Sequence, residues 1–177
     1  MSDPAVGAFL KILEEPPERV VFVLTTQEKL DLFPTIVSRT RNLQFSPIPE
    51  KILLSAFGSK NDDAVFAIHL SQGAPGKVIG LLQDPDLLRE NRQLHAQARH
   101  FWGTASLREK FSWLMELVMS KKEEADILLH LGLTLREQSD LTKKIRWTKE
   151  FSRLKGSLQT NAKKELLYER FALGTSD

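Results

Sequence analysis

Cysteine is absent from the 177 residues of the sequence. This excludes disulfide frameworks, thiolate zinc sites, iron–sulfur clusters and cysteine nucleophiles. No stretch approaches the ~18 consecutive apolar residues that a membrane helix needs. The start of the sequence, Met1–Pro4, lacks the basic and then apolar layout of a signal peptide. We therefore expect a soluble, cytoplasmic protein without a membrane partner.

Motifs for self-contained catalysis are missing as well. The glycine-containing segment 73–77 has the wrong spacing for a phosphate-binding loop, and Lys77 is followed by Val78 instead of Ser or Thr. The neighbouring carboxylates Glu14 and Glu15 cannot face each other on a helix as an acid–base dyad. The chain alone is therefore predicted to hold no ATP site and no cofactor, and to be no enzyme on its own.

The histidines lack the spacings that are typical of metal ligands. None is paired at i, i+4, and no His-Glu-x-x-His motif is present. We interpret all of them as surface or packed residues and predict no metal site. They are His69, His95, His100 and His130.

The composition, 41% hydrophobic and 27% charged, is typical of a globular chain with a sizeable core. The net charge of +2 divides into −3 for residues 1–87 and +5 for residues 88–177. A mildly basic half can favour nucleic acid or an acidic partner, but we favour a solvated helical surface. Trp147 and Phe151 lie among basic residues, yet they share an apolar helix stripe with Leu154, so they are predicted to be core residues.

The first part of the chain is typical of an α/β arrangement. A good N-cap followed by proline begins a helix at Asp3, and paired prolines end it. The apolar run 20–24 predicts a strand that is buried on both faces. Pro34 begins a short helix, and the alternation over 41–45 predicts a second, half-buried strand.

Beyond a proline-rich linker at residues 46–49 the apolar period becomes helical. Residues 87–173 are predicted to be entirely helical, with Asn161 as the N-cap of the last helix. Three short helices are predicted between the linker and a second boundary at residues 84–86: 50–57, 61–72 and one that begins at Pro75.

Three motifs follow one another in the first forty residues. Segment 8–17 is AFLKILEEPP, segment 22–26 is FVLTT and segment 34–40 is PTIVSRT. In order and spacing they resemble the LEEPP, TT and SRC motifs of the bacterial DNA polymerase III clamp-loader subunits. Segment 70–77, LSQGAPGK, resembles the delta-prime type, because gamma/tau subunits more typically show G-S-x-R-D there. The resemblance is strong over residues 5–82.

The resemblance implies a fold class, an α/β remnant of an AAA+ nucleotide domain followed by mostly α structure. Residues 1–46 would be the C-terminal half of the α/β domain, 47–84 a helical lid and 85–177 a helical collar for oligomerisation. Walker A, the zinc-knuckle cysteines and Walker B of the family would all precede residue 1. We therefore expect the C-terminal part of a longer subunit, from a truncated or a split gene.

The resemblance also implies a site. Arg39 would be an arginine finger that reaches the ATP of a neighbouring subunit, within an SRC-like motif formed with Ser38 and Thr40, where Thr40 replaces the usual Cys. The alternative is that Arg39 merely pairs at the surface with a carboxylate such as Glu28 or Asp31.

At the positions that contact the nucleotide in the family, this sequence carries few of the residues that the family usually has. Thr25 or Thr26 would occupy the sensor-1 position, in a vestigial form. Lys77 lies near the sensor-2 position, where the family's arginine is absent. Gly7 stands where Asn is common.

The function that the resemblance implies is that of a delta-prime-like subunit, a component of the DNA polymerase III holoenzyme. Its partners would be the gamma/tau and delta subunits and, through the complex, the sliding clamp and primer–template DNA. Two alternatives stay open. One is a fragment of a gamma/tau ATPase subunit, which the missing sensor-2 arginine disfavours. The other is a small helical DNA-binding protein that uses the basic half, with an affinity that depends steeply on salt.

Overall fold

The described residues divide into two compact units, residues 1–46 and 47–177. They are mostly helical and contain no β-strand. None of their helices is both long enough and apolar enough to cross a membrane. A computed structural model describes residues 3–26, 33–58, 60–119 and 124–176, with side chains from Gly7 onwards except Val118.

The first unit contains two helices. Helix α1 spans Asp3–Glu14 and ends before the paired prolines, as predicted. The short helix predicted at Pro34 is also confirmed, as α2 over Pro34–Val37. An edge-to-face contact between Phe9 of α1 and Phe22, with ring centroids 6.3 Å apart, joins α1 to the segment that follows it.

The two predicted strands are wrong for this structure, because segments 20–24 and 41–45 have no regular secondary structure. A strand exists only when its backbone N–H and C=O groups pair with a neighbouring strand. Within the described residues neither segment has such a neighbour, and Val21 and Val23 remain 85% and 81% exposed. The structure thus supports the helical part of the predicted fold class and does not show its α/β part.

The second unit is built from helices alone within the residues described. Leu107–Met119 and Lys164–Gly174 are in extensive contact, as are Pro85–Gly103 and Glu124–Arg136. The helices are α3 Glu50–Phe57, α4 Asp62–Ser71, α5 Pro75–Gln83, α6 Pro85–Gly103, α7 Leu107–Met119, α8 Glu124–Arg136, α9 Leu141–Leu158 and α10 Lys164–Gly174.

Side-chain caps fix where several of these helices begin. The carboxylate of Asp84 accepts from the N–H groups of the first turn of α6, and Asp140 does the same for α9. The predicted cap Asn161 is wrong. Helix α10 follows Lys163, which makes no side-chain cap. Asn161 lies two residues too early, exposed in the turn that closes α9.

An aromatic core fills the space among α6, α9 and α10. The rings of Trp102 and Trp147 stack 5.3 Å apart, and those of Phe101 and Phe171 stack 5.6 Å apart. The predicted core position of Trp147 is confirmed, and the half-buried Phe151 packs against the same cluster. These aromatic faces are therefore occupied by protein.

A second apolar cluster joins the three short helices to the longer ones. Leu53, Ile68 and Val78 come from α3, α4 and α5. Leu88 of α6 and Leu133 of α8 complete the same cluster. Because this core is shared, helices α3 to α5 and the helices that follow them pack as one unit. The division of residues 47–177 into a lid and a collar at residue 84 stays a prediction.

Candidate functional site

The short helix α2 presents the SRC-like motif on a closed turn. Phe33 is extended and Pro34 supplies the preset φ of the first helical position. Ile36 is the buried residue of α2, with only 4% of its surface exposed. The backbone N–H of Ser38 donates to the carbonyl of Pro34 at 3.0 Å, and that of Arg39 donates to the carbonyl of Ile36 at 3.1 Å.

Both hydroxyls that flank the arginine reinforce this turn. The Ser38 hydroxyl donates to the carbonyl of Thr35 at 3.0 Å. The Thr40 hydroxyl donates to the carbonyl of Ile36 at 2.9 Å. The Thr40 hydroxyl therefore satisfies a carbonyl at the end of this helix. The structure therefore brings Ser38, Arg39 and Thr40 together.

The guanidinium of Arg39 pairs with a carboxylate that the sequence reasoning missed. Its Nε donates to Oε1 of Glu14 at 2.7 Å, and Nη2 contacts the same oxygen. Nη1 donates to the carbonyl of Thr35 at 3.1 Å. The two side chains are 37% and 50% exposed, so the pair contributes only about 0–1 kcal/mol. The partners first considered, Glu28 and Asp31, lie outside the described residues.

The other predicted site positions come from other segments of the chain. Thr25 and Thr26 lie exposed at the end of the extended segment that follows α1. Lys77 is exposed in the first turn of α5, in the second compact unit. The signal that could have found Glu14 is its position at the C-terminal end of α1 within the LEEPP segment.

A separate cluster of polar side chains, formed by His69, His95, His130 and Glu137, lies in the second unit and was also missed. His69 comes from α4, His95 from α6 and His130 from α8, and Glu137 directly follows α8. Oε1 of Glu137 lies 3.4 Å from Nε2 of His95 and 3.7 Å from Nε2 of His69. Their wide separation in sequence explains why spacing rules could not group them.

Burial and charge act in opposite directions on the central residue of this histidine cluster. Loss of solvent is the largest influence and lowers the pKa of His95, and the positive charge of Arg99 lowers it further. The carboxylate of Glu137 counteracts both. Nδ1 of His95 lies 3.2 Å from Nδ1 of His130, whose Nε2 lies 3.0 Å from Oδ1 of Asn91. The cluster is therefore an ordered polar network inside the helical unit.

Known proteins match this chain over different lengths. The family described as "DNA polymerase III, delta subunit" matches residues 1–49. "DNA polymerase III subunit delta'" of Escherichia coli K12 is 39% identical over 139 residues, which is 76% of this chain and 40% of that protein. "DNA polymerase III subunit gamma/tau" of Mycobacterium bovis and of Mycobacterium tuberculosis is 34% identical over 85 residues, which is 43% of this chain and 15% of each relative.

The delta' match covers about three quarters of the chain, whereas the gamma/tau matches cover less than half of it. The chain spans about 40% of the length of the delta' relative. The family match over residues 1–49 covers the segments that carry the LEEPP, TT and SRC-like motifs. These matches support the resemblance of the chain to a DNA polymerase III clamp-loader subunit of the delta-prime type.

Proposed function

We propose that this chain acts as a delta-prime-like subunit of the DNA polymerase III clamp loader, assembling with gamma/tau and delta subunits to load the sliding clamp onto primed DNA. Arg39 would be supplied in trans to the ATP of a neighbouring subunit. The single observation that carries this role is the presentation of Arg39, whose backbone is held by a hydrogen-bonded turn while its guanidinium stays at the surface.

The contact with Glu14 does not stand against this role. A guanidinium is always charged and offers a planar fork that matches phosphate oxygens. Moving Arg39 from Glu14 to a phosphate breaks an exposed pair, at a cost of about 0–1 kcal/mol. An arginine finger is typically worth about 10³–10⁵ in turnover, or roughly 4–7 kcal/mol. The pair with Glu14 is therefore too weak to keep Arg39 from a neighbour's triphosphate, and its cost is small beside the transition-state stabilisation that a finger supplies.

The test uses the complex reconstituted with gamma/tau, delta and the sliding clamp. The Arg39→Ala variant should assemble normally, while DNA-stimulated ATP hydrolysis at the served site and clamp loading fall strongly. Arg39→Lys should not restore either activity, because Lys lacks the fork. The matched control is Arg41→Ala, which removes an exposed arginine two residues away. Clamp loading at the unmutated rate by an assembled Arg39→Ala complex would refute the assignment.

Assembly would depend on the collar, residues 85–177. Four large apolar side chains remain exposed on its last two helices, Leu141 and Ile145 on α9 and Leu166 and Leu173 on α10. Exposed apolar residues that recur on one helix at i, i+4 or i, i+7 are suited to packing against another subunit.

A pair of matched charge substitutions tests this role of the collar. Ile145→Glu combined with Leu173→Glu should abolish co-purification with gamma/tau and delta, because both changes place charge on the exposed apolar surface. Ile79→Glu on the exposed face of α5 should leave co-purification unchanged. Normal co-purification of the double variant would assign assembly to another surface.

The first unit would form the C-terminal half of a nucleotide domain, in which segment 20–24 pairs with strands of the same domain. Thr25 and Thr26 would then stand at the sensor-1 position, and Lys77 would lie near the sensor-2 position. We expect the isolated chain neither to bind nor to hydrolyse ATP, because it carries no phosphate-binding loop motif. Micromolar binding of Mg-ATP by calorimetric titration would contradict this expectation.

The remaining interpretations receive less support. A gamma/tau origin rests on matches that cover 43% of the chain. Direct DNA binding by base stacking would need accessible aromatic faces, but Trp147 is buried and Phe151 packs against the core. No observation on the described residues favours either over the delta-prime-like role.

A further inference from the structure

The His69, His95 and Glu137 side chains have the spacing of ligands around a single ion. Their ligand atoms all lie within 4.8 Å of one another. Two ligands on one tetrahedral Zn²⁺, with bonds of about 2.0–2.1 Å, are separated by about 3.3 Å. The separations of 3.4 Å and 3.7 Å from Oε1 of Glu137 are close to that value. Each of these two separations would have to change by less than half an ångström to reach that value.

The hydrogen-bond chain behind His95 indicates which of its nitrogens carries the proton. The amide nitrogen of Asn91 donates to the carbonyl of Leu87 at 2.9 Å, so its Oδ1 is the acceptor. Nε2 of His130 must therefore donate to it, and Nδ1 of a neutral His130 accepts from Nδ1 of His95. The basic Nε2 of His95 is thereby directed at Glu137. Metal-binding histidines are oriented in this way, by donating through their other nitrogen.

A direct charge-assisted bond accounts poorly for the same geometry. A protonated His95 would approach a carboxylate to about 2.7–2.9 Å, but the observed separation is 3.4 Å. Nε2 of His69 is shielded from solvent and has no hydrogen-bond partner in the described part of the chain. Two histidine nitrogens therefore converge on one carboxylate oxygen without donating a short bond to it.

We propose that His69, His95 and Glu137 bind one Zn²⁺ ion, which links helix α4 to α6 and to the end of α8. Two imidazoles and one carboxylate form a ligand set that is well known for Zn²⁺. A water molecule from the open groove that these residues line would be the fourth ligand. The ion would act structurally, by fixing the short helices against the longer ones in addition to the shared apolar cluster.

Neighbouring charges are compatible with this site. Arg99 donates to Oε2 of Glu137 at 2.8 Å and 3.1 Å, which orients the carboxylate and leaves Oε1 for the ion. The guanidinium of Arg92 lies over the ring of Phe66 and pairs with Asp63, so its charge is partly balanced. The positive charge of Arg99 weakens the attraction for a cation, and we therefore expect micromolar affinity instead of the much tighter binding of closed structural sites.

The experiment uses the full 177-residue chain, freed of metal with a chelator and then titrated with ZnCl₂ by calorimetry. We expect one equivalent to bind, and Co²⁺ to give the intense visible absorption of a tetrahedral site. His69→Gln and Glu137→Gln should each lower the affinity by more than the about 10–100-fold typical of losing an outer hydrogen-bond partner. The matched control, His100→Gln, removes an exposed histidine of α6 and should bind as the parent does.

Thermal unfolding gives a second readout that does not depend on the titration. Zn²⁺ should raise the Tm of the parent and of His100→Gln, because a ligand that binds only the folded state stabilises it. It should leave the Tm of His69→Gln and Glu137→Gln unchanged. Both substituted side chains are partly exposed, so these variants should fold, as circular dichroism will show. Absence of stoichiometric Zn²⁺ binding, or unchanged binding in both ligand variants, would overturn the proposal.

Discussion

The two compact units use apolar side chains very differently. In residues 1–46, Val21 and Val23 are more than four-fifths exposed and Phe45 is 91% exposed. In residues 47–177, Trp102 and Phe171 are almost completely buried. Both regions are rich in residues that normally stabilise a core. What differs is the kind of partner each apolar element needs.

Helices supply their own backbone hydrogen bonds, so α6 to α10 need only one another's side chains to enclose a core. A strand needs a neighbouring strand before its apolar face can be covered. The segment 20–24 has the composition of a buried strand, yet it is extended and exposed. Apolar side chains thus stabilise the fold only where the topology places a neighbouring helix or strand against them.

Matched phenylalanine truncations test this difference most strongly. Phe171→Ala should lower the free energy of unfolding of the helical unit by about 3–5 kcal/mol, because it opens a cavity among packed rings. Phe45→Ala should change stability by less than about 0.5 kcal/mol, because the side chain is already exposed. Urea denaturation followed by circular dichroism measures both. A large loss for Phe45→Ala would show that the first unit buries this ring in solution.

Alanine substitutions at two glycines test how closely the backbone packs in the helical unit. Gly73 has φ +90°, and a Cβ there would lie 2.6 Å from Cβ of Pro47 and 2.9 Å from the backbone of Ile48. Gly73→Ala should therefore cost about 2–3 kcal/mol. Gly80→Ala, inside α5 with open space around it, should stabilise by about 0.5–1 kcal/mol. Equal effects at the two positions would refute the close approach at Gly73.

Removing a helix cap should have a smaller effect on stability, and it tests the wrong prediction that Asn161 caps α10. Asp140 accepts from the backbone N–H groups of Thr142 and Lys143 at 2.9 Å and 3.0 Å. Asp140→Ala should cost about 1 kcal/mol of stability. Asn161→Ala should be almost neutral, because Asn161 caps no helix in this structure. A cost of similar size at Asn161 in thermal or urea unfolding would restore it as the cap of α10.

Local signals in the sequence predicted most of the helices, because a proline, an Asp or Asn cap and a 3.6-residue apolar period act within one element. They predicted α2 at Pro34 and the buried Trp147. They failed for segment 20–24, since pairing depends on distant residues. The Arg39 motif was visible as a resemblance, but Glu14 as its partner was not. The cluster of histidines and Glu137 was not predictable from the sequence either, because its histidines come from three helices and Glu137 follows the last of them.

The ion pair between Arg39 and Glu14, in the first unit, gives the smallest expected effect on stability. Because both side chains are partly exposed, a double-mutant cycle with Arg39→Ala and Glu14→Ala should yield a coupling energy of about 0.2–1 kcal/mol. The coupling should fall further at high salt. A value above about 2 kcal/mol would mean that Arg39 is committed to stabilising the first unit. A weak pair together with a strong loss of clamp loading in Arg39→Ala would instead show that the arginine acts on a neighbour's nucleotide, because so small a change in stability cannot account for lost turnover.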